Sequence, residues 1–402
     1  MKNNLLNIKI IIIFAIINSS YFIAFGNSGI LRFISVLLMN ISGLLIIFNY
    51  LKCFKLLGSM KVHYYFRILI FTLILWSFFT FFRSFSLDTK SLITLFGHPL
   101  MGWAWIAPMS VILGLNILIW ENLLKYFSKI LQIGIFIGLF SFFYPQEVNM
   151  GALEFFAFLP ILLITKSYQR KKIRIITVFA IITYGIISYF VSQRVNLIYL
   201  FLIFVFSYSE YLHYLKNKNL IKSFWLILSL LFVYSAVSTT TEKNITNGNS
   251  ELFIDNRSFL FAELFLDMEP NELLIGRGAL GTYYSDFFHY ASLTPGAQAD
   301  NENRSVNEVG YLQMILKGGF VMLSLYILIL FPIAILGIFK SKNTISRMCG
   351  YYILIYILCW SVSYYPIFSA EYILLWIAVG TILPKSNRMK MNSELLFNKI
   401  NK

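Results

Sequence analysis

The chain has 402 residues, 58% of them hydrophobic and only 13% charged, with a mean hydropathy of +0.72; this excludes a soluble globular domain. Apolar runs recur near the ~20 residues needed to cross about 30 Å of hydrocarbon, and their unbroken character excludes the alternating strands of a membrane barrel. The 33 Lys and Arg against 18 Asp and Glu, a net charge of +15, suggest nucleic acid at first sight, but the excess is distributed by membrane side.

In chain order the hydropathy pattern predicts twelve membrane helices, near 8–25, 30–50, 66–83, 103–120, 130–145, 152–165, 173–191, 195–210, 223–240, 319–339, 348–364 and 369–384, with residues 307–318 as a separate half-helix. The first follows Lys2 and Lys9 and lacks a small-residue cleavage pattern, so it is expected as an uncleaved span. If the N-terminus is cytoplasmic, alternate connections collect Lys52/Lys55/Lys61/Arg67, Lys125/Lys129, Lys166–Arg174, Lys216/Lys218/Lys222 and Lys340/Lys342/Arg347 on the inside. The outer side keeps Arg32, Arg83, Lys90, Arg194, Lys243, Arg257, Arg277, Arg304 and Lys317. Every inner connection then obeys the positive-inside rule. The fold class expected is an all-α polytopic integral membrane protein, a single membrane domain over 1–402 with both termini cytoplasmic. One large extracytoplasmic loop, 241–306, is inserted between the ninth and tenth helices. The spans read as nearly free of ionisable residues, and Cys53, Cys349 and Cys359 imply neither a disulfide framework nor a thiolate metal site.

The loop carries ten carboxylates against Lys243, Arg257, Arg277 and Arg304. Three elements on the outer side have residue types suited to chemistry. Arg194, in Ser192-Gln193-Arg194 between two adjacent spans, is a planar fork for phosphate oxygens or a snorkelling helix-end arginine. Arg257 opens Arg257-Ser258-Phe259-Leu260-Phe261-Ala262-Glu263-Leu264, whose apolar spacing predicts a short interfacial helix. Arg277 is bracketed by Gly276 and Gly278, which either let the backbone approach a ligand closely or simply make a turn. Next, Asn307-Glu308-Val309-Gly310-Tyr311 leads back into the membrane. A carboxylate at the mouth of a span is a functional candidate; alternatively Asn307 caps the helix and Glu308 favours its dipole. His289 stands alone in the loop, no His/Asp/Glu spacing resembles a metal-ligand set, and the aromatic group Tyr283, Tyr284, Phe287, Phe288 and Tyr290 reads as ordinary interfacial aromatics.

Taken in order, the Ser-x-Arg turn at Ser192–Arg194, the arginine-led helix with Leu274-Ile275-Gly276-Arg277-Gly278, and the Asn307–Gly319 approach to a Gly-Gly span start resemble the O-antigen (Wzy-type) polysaccharide polymerase family, within the O-antigen polymerase and ligase superfamily. The resemblance implies a GT-C-like membrane glycosyltransferase of the bacterial inner (plasma) membrane. It would polymerise undecaprenyl-pyrophosphate-linked repeat units without metal or cofactor. Glu308 would be the base toward the acceptor, with Arg194 and Arg277 stabilising the leaving group. Arg194, Arg257, Arg277, Arg304, Asn307, Tyr311 and His289 would bind pyrophosphate and glycan. Implied partners are the lipid-linked donor and acceptor, membrane lipid, and a chain-length regulator and flippase of the same pathway; nucleic acid is not among them. An O-antigen ligase is the nearest alternative, although a ligase typically carries His where this chain has Asn307-Glu308. A flippase or transporter is another, expected to show paired halves or interrupted spans at corresponding positions; neither an internal repeat nor an intramembrane charge pair is visible in the sequence. A scaffold for envelope assembly is the third.

Reporter fusions after Asn249 and Asn303 are expected to read as external, and fusions after Lys171 and Lys342 as cytoplasmic. A cytoplasmic signal around Gly278 would put the loop on the wrong face for this chemistry.

Overall fold

The computed structural model of the chain describes residues 2–25, 29–59, 62–141, 143, 146–166, 169–191, 194–214, 223, 258–287, 289, 302–362, 364–392 and 395, and every count or absence below is of these residues. In chain order the elements are α1 (Lys2–Phe25), α2 (Ile30–Ser59), α3 (Tyr64–Phe82), α4 (Thr89–Gly97), α5 (Gly102–Ile106) running on as a 3₁₀ segment (Ala107–Leu115), α6 (Ile119–Ser141), α7 (Gln146–Leu153), a 3₁₀ turn (Glu154–Phe156), α8 (Leu159–Ile164), α9 (Lys171–Phe190), α10 (Arg194–Tyr214), α11 (Ser258–Asp267), α12 (Pro270–Ile275), β1 (Tyr283–Tyr284), β2 (Asn303–Arg304), α13 (Gly310–Phe339), α14 (Thr344–Trp360), α15 (Ala370–Ile382) and α16 (Lys385–Met389). The two short strands pair antiparallel, Tyr283 opposite Arg304 and Tyr284 opposite Asn303.

Six helices are long and apolar enough to cross a membrane: Leu5–Phe25, Ile30–Lys55, Tyr64–Phe82, Ile119–Ser141, Lys171–Phe190 and Gly310–Phe339. α4 with α5 and its 3₁₀ continuation passes only as a pair bent by 52°. Val148–Ile164, Ile198–His213, Thr344–Trp360 and Ala370–Ile382 are shorter apolar helices. Phe33, Phe136, Phe190 and Phe201 project outward from their helices, as rings facing lipid would and as a water-soluble surface would avoid. The chain is a multi-pass, all-α membrane protein. The expected ninth span, 223–240, lies outside the described residues apart from Ser223.

Two expected boundaries move. The Lys125/Lys129 connection is helical: α6 already begins at Ile119, and Glu121 pairs with Lys125 one turn on at 4.0 Å. The true turn is Asn116–Leu118, where the Asn116 side chain accepts from the Leu118 amide; Ile117 and Leu118 hid it inside an apolar run. The expected span 103–120 is instead the second arm of the bent pair.

The interior is built on close backbone crossings. A Cβ on Gly114 would fall 1.9 Å from the Ile377 carbonyl, and one on Gly380 1.9 Å from the Val111 carbonyl. The 3₁₀ segment and α15 therefore pack backbone to backbone, as small residues allow between membrane helices. Thr381 fastens the crossing, donating to the Gly114 carbonyl at 3.1 Å and accepting from the Trp120 indole at 2.8 Å.

α13 is broken at Gly319 (φ 71°, ψ −177°), so the half-helix read from the sequence is present. The loop fills the break: the Arg277 and Gly278 amides donate to the Leu316 and Lys317 carbonyls at 2.8 and 2.9 Å, and the Trp76 indole donates to the Gly318 carbonyl at 2.8 Å. Gly276 (φ 76°) lies against Lys317 and Gly319 against Leu274, each so close that a Cβ would come within 2.3 and 2.1 Å of backbone oxygen. Broken helices at membrane depth persist only where such partners satisfy the freed carbonyls. The same strip runs on to α3, with the Ala279 amide on the Thr80 carbonyl and the Leu280 amide on the Ser84 hydroxyl.

The spans hold more charge than the hydropathy pattern suggests. Arg347, placed by that pattern in an inner connection, lies inside α14 and grips Glu210 of α10 bidentately at 2.8 and 2.7 Å, both residues buried. Glu154 and Glu371 also lie within apolar helical stretches. The Glu210→Gln or Arg347→Met change alone leaves one buried charge uncompensated, at ~3–5 kcal/mol. Each is expected to lower the melting temperature of the detergent-solubilised protein, while Glu210→Leu with Arg347→Met recovers most of the loss; fluorescence-detected unfolding of the three variants checks this.

Candidate functional site at the mouth of the broken helix

The folded part of the loop is organised around Arg277. Its guanidinium donates to the Asp267 carboxylate, to the Asp267 carbonyl at 2.6 Å, to Glu272 at 2.7 Å and to the Thr282 carbonyl at 2.7 Å. Glu272 and Glu269 form a reciprocal cap at the start of α12. The bond from Arg277 holds the Glu272 carboxyl below the usual carboxylate range, and the Glu272 bond in turn holds the guanidinium above its own. Arg277 is thus spent on two carboxylates and two carbonyls of its own loop. Its flanking glycines bring the backbone against the α13 break, which is the turn reading of the Gly-Arg-Gly segment.

From this knot the geometry runs to Glu308. Asp267 also accepts from the Tyr284 amide at 3.2 Å, fixing β1, and β1 pairs Tyr283 with Arg304. Tyr283 is fully buried with Leu260, Leu264, Val309 and Leu312; burial pushes its hydroxyl up to about 12. Arg304 reaches Glu308 at 3.5 Å, with Glu308 the more exposed of the two at 42%. Asn307 is buried and fixes the backbone on either side: its amide donates to Gln313 at 2.8 Å and its side-chain oxygen accepts from Val309 at 3.0 Å. The side-chain nitrogens of Asn307 and Gln313 are buried without a hydrogen-bond partner, as is the Tyr283 hydroxyl.

The structure therefore brings together Arg304, Asn307 and Glu308, with Arg277 behind them as a brace. Tyr311 is turned inward, its hydroxyl on the Ile357 carbonyl at 2.6 Å. His289 meets Glu302 at 2.6 Å, on the loop side of β1. Arg194 opens α10, but its side chain, the Ser192–Gln193 turn and Arg257 lie outside the described residues. The aromatic group splits: Tyr283 is core and Phe287 stacks on Phe259 at 4.6 Å, while Phe288 and Tyr290 fall outside the described residues.

Two cations that the sequence placed on the outer side without a role at the site also lie here. Arg83, exposed at the end of α3, donates to the Ile275 carbonyl at 3.0 Å and meets no carboxylate among the described residues. Lys317 is wholly buried just before the α13 break and donates to the Gly281 carbonyl at 2.8 Å. A single charge in an apolar sequence run was the available signal for Lys317; nothing local marks Arg83. Among the described residues no three His, Cys, Asp or Glu side chains gather as a metal site.

No family model, curated protein or solved structure matches this chain.

Arg277→Ala is expected to release the loop from the α13 break, raising proteolysis within 258–287 and lowering protein abundance, and Arg277→Lys to restore little, since an ammonium cannot span four acceptors. Because the folded Glu272 carboxyl is depressed, its contribution is present above the ordinary Glu value, about 4.3, and is lost as pH falls through its lower folded value. Hydrogen-exchange protection over 270–284, taken relative to the unstructured rate at each pH, should accordingly hold from neutral pH down to that range and fall only beneath it; loss of protection already near neutrality would point to a different group.

Proposed function

We propose that this protein is a polysaccharide polymerase: a twelve-span, GT-C-like glycosyltransferase of the bacterial inner membrane, with cytoplasmic termini, that joins undecaprenyl-pyrophosphate-linked repeat units on the outer face. The twelve-span count is supported by the six long helices and the bent pair, with the four shorter apolar helices taken as further spans; 223–240 lies outside the described residues apart from Ser223. The observation that carries the reading is Glu308. It is a half-exposed carboxylate at the mouth of a broken helix, on backbone held by Asn307, next to Arg304. In the proposed reaction the acceptor hydroxyl attacks the anomeric carbon of the donor. Its proton passes to Glu308, and the carbon–oxygen bond to pyrophosphate breaks with the electron pair leaving on undecaprenyl pyrophosphate. A phosphate leaving group needs no protein nucleophile; it needs cations where charge develops. With Arg277 committed to Asp267 and Glu272, that work falls to Arg194 and Arg257, with Arg83 as the exposed addition.

A transporter reading is favoured by one specific observation, the interrupted spans at α4/α5 and at Gly319. The carbonyls freed at Gly319 are taken by the loop and Trp76, whereas a transported ion would require them open.

Deletion of the gene is expected to leave single repeat units on the surface lipid. Units trapped on the cytoplasmic leaflet would indicate a flippase, and long chains retained on undecaprenol a ligase. Glu308→Gln should abolish elongation with single units intact, since general-base contributions run to about a hundredfold or more. Arg194→Ala and Arg257→Ala should each cut polymer about tenfold or more at unchanged abundance. Chains of normal length from Glu308→Gln would remove this base assignment.

A further inference from the structure

Behind Glu308 the helix ends on the loop side enclose a second group of polar residues that the proposed reaction leaves unused. Glu371 stands in the first turn of α15 and accepts from the Tyr356 hydroxyl at 2.7 Å, while its carbonyl accepts from Tyr352 at 3.0 Å. Glu154, in the turn between α7 and α8, accepts from Ser19 of α1 at 2.8 Å. The two carboxylates lie within electrostatic reach of one another, and both are half-buried, keeping some open surface although their surroundings are apolar helices. Tyrosine rings form the wall: Tyr199 stacks on Tyr364 at 5.5 Å, and Tyr184 and Tyr356 flank that pair at 6.3 and 6.0 Å.

One polar atom of this wall is unmatched, on Tyr199. That residue is fully buried, and its hydroxyl has no hydrogen-bond partner. Glu371, Tyr352, Tyr364 and Tyr184 all lie within electrostatic reach of that hydroxyl. A buried hydroxyl without a partner is costly and calls for an occupant. Tyr199 lies five residues into α10 and Tyr184 six residues before the end of α9, roughly 8–9 Å below the helix ends at 1.5 Å per residue. Tyr365, in the connection between α14 and α15, lies within reach of Glu308 and Arg304 on one side and of Glu154 on the other. The group is therefore the floor beneath the Glu308 site.

We propose that Glu154, Glu371 and the Tyr184–Tyr199–Tyr364–Tyr356 wall form a glycan subsite that holds sugar residues of the acceptor below Glu308. Two neighbouring carboxylates with no described cation paired to either are suited to a ligand rich in hydroxyl donors, and flat tyrosine faces are suited to the apolar faces of sugar rings. A polyprenyl tail would leave the carboxylates and the Tyr199 hydroxyl unsatisfied. The proposal rests on the glycan-processing reading and names where that glycan lies.

The test uses the full chain in lipid nanodiscs, with the oligosaccharide repeat released by mild acid from the source strain's own surface polysaccharide as the probe. Binding to the wild-type protein is expected to be saturable. Tyr199→Phe removes only a hydroxyl that no protein group uses, so it should keep or raise the melting temperature while weakening binding about fivefold. Glu371→Gln should weaken binding about tenfold or more and shorten chains in cells. Wild-type affinity in both variants overturns the subsite, even if the deletion strain lacks polymer and the polymerase reading stands. Normal polymer in the deletion strain sinks that reading, and Tyr199-dependent oligosaccharide binding would still uphold the subsite. Absent oligosaccharide binding, together with stabilisation by Na⁺ at constant ionic strength that Glu154→Gln abolishes, overturns the proposal in favour of a cation site.

Discussion

The break in α13 at Gly319 is the constraint on which the rest of the loop side depends. Opening a helix where its backbone is buried frees carbonyls that must find other partners, and here Leu316, Lys317 and Gly318 are served by two loop amides and the Trp76 indole. That requirement fixes the loop strip from Gly276 to Leu280 against α3 and α13. It also explains the left-handed glycines at 276, 278 and 319, since side chains at 276 and 319 would collide with backbone. The loop is thereby a structural part of the membrane domain.

The acidity of the loop follows from the same arrangement. Asp267 and Glu272 neutralise Arg277, Glu263 accepts from Ser285 and the Phe287 amide, and Glu302 meets His289. These carboxylates tie the loop's segments together around the small apolar cluster of Leu260, Leu264, Met268 and Tyr283. Glu308 is as exposed as Glu302 but sits on backbone fixed by the buried Asn307 and Val309, beside Arg304. The interior tyrosines extend the pattern downward, with polar atoms placed in an apolar frame and incompletely matched by protein partners.

Several elements were legible in the sequence because their cause is local. Apolar length revealed the six long helices, and the stretch before the glycine pair at 318 and 319 read as a half-helix. Asn307 and Glu308 stood out as polar residues at the edge of an apolar run. The Asn116 turn was hidden because its neighbours are apolar, and the Lys125/Lys129 pair misled because a helix end can carry exposed lysines without leaving the helix.

By itself the sequence determined an all-α, multi-pass membrane chain with one acidic loop, since span length and charge distribution are properties of consecutive residues. Which charges are spent and which are available was decided only by the tertiary structure. Arg277 meets Asp267 ten residues earlier, Arg347 meets Glu210 across 137 residues, and Glu154 comes into reach of Glu371 from a distant segment. Those pairings depend on helix crossings set by Gly114, Gly380 and the Gly319 break. No hydropathy pattern encodes them, because close packing is a relation between segments.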